Sequence, residues 1–313
     1  MLGLMCLFCQ ANIFAVGGWE TFVDESNGIS YHVSYYWCLD YEHPEFNTYT
    51  GTASVTGLAS NNEDAKSVII PAYVNFTYPY NYDYPIDYIH DQVFSYSLIE
   101  TFISENNDIG ISYGVFSGCK YLSYVNLGEK VNYIAEYAFK NCTALKNISI
   151  PQTKYIFENA FEGCTALTNV EITGFVPYDK DQYSPYYQIG KKAFTGCTAL
   201  RNIVLRCTEV PSCAWAAFDV DTYANATLYV PEGTLQAYRD DIVWSRFQHI
   251  VEGDQSAIVD IEAPAADGLC DVYSLSGSLL REGVRADDWR QGLAPGVYIV
   301  RSADGRTEKK IVR

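Results

Sequence analysis

The chain has 313 residues, 48% hydrophobic and 19% charged, a balance that excludes wholesale disorder and leaves room for two or three folded units. Its net charge of −17 is uneven: residues 254–313 carry 8 basic and 10 acidic side chains, leaving 13 against 28, a net of −15, on residues 1–253. So acidic a surface repels phosphate backbones and speaks against a nucleic-acid partner.

Residues 1–15, MLGLMCLFCQANIFA, form a short apolar stretch ending in small residues, the shape of a secretory signal peptide without its basic start. They predict export through a signal peptide. Cys6 and Cys9 raise lipid attachment, although neither follows the small residue such a site wants. The stretch is too short to span a bilayer, and no later segment is apolar enough to do so. Residues 16–60, with NGISYHV and GTASVTGL, predict a β-rich N-terminal cap.

Residues 61–253 repeat themselves. VFSGCKYLSYVNL, AFKNCTALKNISIP, AFEGCTALTNVEI and AFTGCTALRNIVL align on Phe116, Phe139, Phe161 and Phe194, which are 23, 22 and 33 residues apart. Cys119, Cys142, Cys164 and Cys197 step identically, as do Leu122, Leu145, Leu167 and Leu200. After each Leu, apolar residues alternate (Ile148 and Ile150, Val170 and Ile172), which predicts a short strand. A unit of this size cannot bury its apolar side alone, so the copies must stack as layers with Phe, Cys and Leu on equivalent rungs. Degenerate copies at AKSVIIP, LIETFI, AAF and ATLYVP extend the stack to about seven strands over residues 68–230. The fold class is a leucine-rich repeat solenoid, its short parallel strands lining a concave side and its convex side irregular or short-helical.

Residues 254–313 read as a separate unit after the break EGDQS. CDVYSLSGSLL, LAPGVYIVRS and KKIVR predict a small C-terminal β-sandwich.

The chemistry-bearing residues form no recognisable catalytic or metal constellation. His32, His43, His90 and His249 are scattered, and the Asp pairs at 179/181 and 219/221 do not continue into a calcium loop. We predict no catalytic residue, no metal site and no cofactor. The layered cysteines have parallel side chains about 4.8 Å apart, poor geometry for disulfides, and read as small buried thiols. Cys207 and Cys213 are the one local pair worth weighing for a bridge.

Tyrosine is the informative residue. YVNFTYPYNYDYPIDY, residues 73–88, has Tyr78, Tyr80, Tyr82 and Tyr84 in strict alternation, and PYDKDQYSPYY, residues 177–187, has Tyr178, Tyr183, Tyr186 and Tyr187. Both stretches are insertions at one point of the repeat, after the first and fifth strands, so they emerge from one face roughly 19 Å apart at ~4.8 Å per rung. Tyr with interleaved Asp and Asn suits sugar rings or a protein loop, which makes these eight tyrosines candidate ligand-binding residues. The plainer alternative is that they pack locally and hold long loops down.

The AFxGCTALxNIxIP copies resemble the BspA-like leucine-rich repeats of bacterial surface proteins. LYVPEGTLQAYRDDIVWSRFQHIVE resembles the way that family closes its array, and NGISYHV and GTASVTGL resemble its N-terminal cap. DVYSLSG, LAPGVYIVR and KKIVR, ending in Lys309, Lys310 and Arg313, are similar to the C-terminal domains that sort Bacteroidetes proteins through the type IX secretion route. The resemblance implies a secreted or cell-surface protein, with association to the outer membrane, that adheres to a host or bacterial surface protein or to a glycan. A glycan-degrading enzyme or accessory subunit, which would need two close carboxylates, and a structural spacer with no discrete site are the competing readings.

Overall fold

The structure, a computed structural model, describes residues 13–24, 28–40, 48–59, 65–76, 82–105, 109–176, 187–253, 269–274, 279–285, 296–302 and 307–312. Strands β1 (Ile13–Asp24), β2 (Ile29–Asp40) and β3 (Thr48–Leu58) form an antiparallel meander at the N-terminus. In β2, Ile29, Tyr31, Val33 and Tyr35 alternate inward against the core while Ser30, His32 and Ser34 face away. β1 starts at Ile13, inside the segment expected to be a signal peptide; residues 1–12 lie outside the described residues.

The repeats follow as β4 (Ser67–Ile70), β5 (Tyr73–Phe76), β6 (Tyr82–Ile89), β7 (Thr101–Ser104), β8 (Ile109–Ile111), β9 (Tyr124–Asn126) and β10 (Val131–Ile134). Next come β11 (Asn147–Ile150), β12 (Tyr155–Ile156), β13 (Asn169–Ile172), β14 (Asn202–Leu205), β15 (Thr227–Val230) and β16 (His249–Glu252). Each rung holds a primary strand, most a second short strand or bridge as well, and a hydrogen-bonded turn carrying the Phe. The primary strands form two parallel ladders, β4-β7-β9 and β11-β13-β14-β15-β16. The expected strands from Val68 to Val230 are all present, and β16 adds one more. β9 and β11 adjoin without belonging to one hydrogen-bonded sheet.

The opposite side, expected to be irregular or short-helical, is more regular than that. It is a second parallel ladder, β3-β6-β8-β10-β12, prolonged by single bridges from Ile156 to Ile189 and from Ile189 to Cys213. Among the described residues, helices occur only near the C-terminal end of the solenoid, as α1 (Val220–Asn225), α2 (Leu235–Asp240) and a single 3-10 turn at Trp244–Arg246. The reason lies in the turns, which hold two left-handed residues per rung, two before and two after the Phe. Tyr137 and Asn141 flank Phe139, Asn159 and Gly163 flank Phe161, and Lys192 and Gly196 flank Phe194. Two such residues four apart stop a helix from forming.

The core is a column of equivalent side chains. Phe116, Phe139, Phe161, Phe194 and Phe218 stack face to face with centroids 5.0–5.1 Å apart. Beside them the buried thiols of Cys119, Cys142, Cys164 and Cys197 donate to the backbone oxygens of Phe94, Phe116, Phe139 and Phe161, at 2.9, 3.2, 3.0 and 3.3 Å. All four are free thiols, and so are Cys207 and Cys213, so no bridge joins that local pair. Each sulfur satisfies the rung before it, a use of Cys that a disulfide would abolish.

The array closes on aromatic packing. Trp244 is fully buried and its Nε1 donates to Pro211 O at 2.8 Å, and Tyr238 Oη donates to Cys207 O at 3.3 Å. The Arg246 guanidinium lies over the rings of both Trp215 and Tyr223, 4.4 and 3.9 Å from their centroids.

The last strands, β17 (Leu269–Ser274), β18 (Leu279–Arg285), β19 (Gly296–Ser302) and β20 (Thr307–Val312), form one antiparallel sheet in the order β18-β17-β19-β20. Among the described residues there is this single layer; the second layer of the expected sandwich is not among them. Ile299 and Val300, successive in β19 and so on opposite faces, are both buried.

Candidate functional site

The predicted tyrosines fall on both insertions, and the structure gives only part of them. Tyr78, Tyr80, Tyr178, Tyr183 and Tyr186 lie outside the described residues, and of Tyr82 only the backbone in β6 is described. Tyr84 corrects the expectation of an exposed stripe: it is 3% exposed, because it shares a face of β6 with Ile86 and that face turns to the core. Tyr187 is 55% exposed and stays available to a ligand. Both insertions do sit between a primary strand and the second ladder, after β4 and after β13, the first and fifth primary strands. The first folds as a hairpin of β5 on β6, with Asn75 Nδ2 donating to Asp83 Oδ1 at 2.9 Å.

The outward side of the second primary ladder holds a more complete constellation. In β11, β13 and β14 the second and fourth residues go to the core, which leaves the first and third facing away. The first position is Asn147, Asn169 and Asn202 on consecutive rungs. Asn169 Nδ2 donates to Asn147 Oδ1 at 2.6 Å, and Asn202 Nδ2 donates to Asn169 Oδ1 at 2.7 Å. An amide has two donors and two acceptor sites, so a ladder that uses one of each still leaves N–H groups and lone pairs for another molecule.

The third positions lie alongside. Glu171 takes Ser149 Oγ on one oxygen at 3.0 Å and Arg206 Nε on the other at 2.5 Å. Its side chain is 12% exposed, against 36% for Arg206, so the pair is partly desolvated and fixed in orientation. On β14 the third residue, Val204, is buried although it faces away from the main core; Tyr229 follows on β15, half-buried, and β16 forms the open edge of the ladder. Beyond that edge is a cleft of about 350 Å³ lined by Arg239, Ser245, Gln248 and His249.

The arrangement offers planar polar groups in fixed rows and one aromatic ring. Glu171 is held by Ser149 and Arg206, and among the described residues no three His, Cys, Asp or Glu side chains converge as metal ligands. The environment of the buried thiols disfavours the thiolate, the form that acts as a nucleophile. Burial raises Cys119 and Cys164, and pushes Cys207 up to about 11; Cys197 is raised first by its contact with Cys164 and then by burial.

The sequence reading missed these residues, although their signal was present. ALKN, ALTN and ALRN place an Asn two residues after Leu145, Leu167 and Leu200. The fourth, looser copy has Tyr124 at that place, and there the amide ladder is absent.

Comparison with known proteins bears on the repeats. Residues 87–183 match the family model described as "BspA type Leucine rich repeat region (6 copies)". A search of curated proteins finds no match. Among solved structures, the T. pallidum leucine-rich repeat protein is 15% identical over 67% of this chain and 89% of its own, with a TM-score of 0.38. A leucine-rich repeat protein from Bacteroides capillosus ATCC 29799 is 25% identical over 49% of this chain and 97% of its own, at 0.34. One from Bacteroides ovatus ATCC 8483 is 18% identical over 73% of this chain and 56% of its own, also at 0.34. With the stacked rungs and the family match in hand, residues 87–183 are identified as a BspA-type leucine-rich repeat region within a longer solenoid.

Proposed function

We propose that this chain is an exported, cell-surface recognition protein that holds a protein or glycan partner non-covalently on its solenoid. The observation that carries the reading is the Asn147–Asn169–Asn202 ladder beside the Ser149–Glu171–Arg206 cluster. Donors and acceptors already fixed at rung spacing lower the ordering cost of binding, and neutral planar groups suit hydroxyls or peptide amides. The tyrosines of the second insertion, Tyr187 and Tyr178, Tyr183 and Tyr186 with it, would flank this face with flat apolar surface. The leader-like first residues support export, and the resemblance of residues 254–313 to type IX sorting domains supports an address at the outer membrane. No described helix is long and apolar enough to cross a membrane.

The test is a glycan array and a panel of extracellular-matrix proteins probed with the purified chain. A specific hit should weaken at least tenfold in Asn169→Ala/Glu171→Ala, about 1.4 kcal/mol or one to two lost polar contacts. Replacing Tyr178, Tyr183 and Tyr186 with Ala should weaken it again. Undiminished binding in both variants would move recognition off this face, and silence on both panels would favour the spacer.

A further inference from the structure

The outward side of the first primary ladder differs from that of the second. Where β11 and β13 present Ser149 and Glu171, β4 and β7 present Ile69 and Ile103 at the same third position. Two isoleucines side by side on adjacent parallel strands would make an apolar ridge facing water. They do not face water: they are 3% and 5% exposed. What buries them is Ile299 of β19, itself 4% exposed, and these three form a cluster separate from the solenoid core with Tyr124 packed against it. At the first position of the same two strands, Thr101 is buried, and the Ser67 hydroxyl is sealed from solvent with no hydrogen-bond partner among the described residues. The cover is therefore close and dry. It comes from a unit about 200 residues away in the sequence, and no repeat period dictates the contact.

We propose that Ile69, Ile103 and Tyr124 form an apolar docking strip on the solenoid whose occupant is the C-terminal sheet of this same chain, seated through Ile299. The recognition face then has two halves. The half built on β11–β16 is mainly polar, with Val204 its one buried apolar third-position residue, and carries the amide ladder. The half built on β4–β9 is apolar and already filled, so an outside partner reaches it only by displacing the C-terminal sheet with an apolar β-face of its own.

A protease recognition sequence inserted between residues 254 and 268 of the full chain, cut after folding, tests this. The two pieces should co-elute on size exclusion. They should separate in Ile299→Asp and in Ile103→Asp, with the thermal unfolding transition of the solenoid retained. Because either variant could fail to fold, a second measurement uses the uncut chain with p-benzoyl-phenylalanine at position 124, which should photocross-link to the peptide containing Ile299. Separation of the unmutated pieces, co-elution in both folded variants, or cross-links that miss residues 296–302 would each overturn the proposal.

Discussion

At the scale of single residues, the cysteines show how position decides chemistry. Ten cysteines in a chain expected to be exported suggest disulfides, yet the stacked ones serve as small donors to a neighbouring rung's carbonyl. Burial makes their protonated form part of the folded state. Cys207 rises from an ordinary 9.0 to about 11 because it is buried. The folded chain thus keeps a proton that the unfolded chain loses, so its contribution to stability is complete below about pH 9 and disappears as pH climbs to about 11. We expect the melting temperature to fall between pH 8 and pH 10.5, with a loss on the order of 2 kcal/mol from Cys207, and the drop to shrink in Cys207→Ala. The layered thiols were legible in the sequence because their spacing matched that of Phe139 and Leu145 rung by rung. The burial of Tyr84 was not, since strict alternation marks two faces of a strand without saying which is wet, and Ile86 two residues on was the clue to the inward one.

At the scale of the element, the turn rather than the strand sets the repeat. Its two left-handed positions are filled by Gly, Asn, Gln, Lys or Tyr in different rungs, and the tolerance differs between them. Gly163, at φ +77°, has Asn141 Oδ1 only 2.3 Å from where a Cβ would stand. Asn159, at φ +58°, already carries a side chain in the same conformation. Gly163→Ala should cost at least about 1–2 kcal/mol in urea unfolding, from the left-handed backbone and the contact together, while Asn159→Gly should stay within a few tenths. The primary strands were legible because alternation over four residues follows a fixed Leu. The second ladder was not: Ile109–Ile111 and Tyr155–Ile156 are too short to display a period, and the reading defaulted to irregular or helical structure.

For the molecule as a whole, the amide ladder and the apolar strip divide one outward surface between a polar half and an occupied apolar one. Only the polar half left a trace in the sequence, the recurring Asn after Leu. The occupied half depends on Ile299 meeting Ile69 and Ile103 across most of the chain, and a contact between units of unlike repeat carries no pattern to read. This is also why a binding surface could be expected from the repeats while its architecture could not. In a one-dimensional stack, each interface holds only its neighbours, so a weak one is felt locally.

The discontinuity between β9 and β11 gives that stack a mechanical seam. On the primary side the hydrogen-bonded sheet ends at β9 and a new one begins at β11, while across the seam β8, β10 and β12 continue unbroken on the other side. A rod bonded on one flank and merely packed on the other bends there before it breaks. Stretched between residues 28 and 253 in an optical trap, the solenoid should yield in two events, the first opening at the seam and the second releasing the blocks on either side; a single rupture would mean that the second ladder and the Phe column together hold the two blocks as one spring.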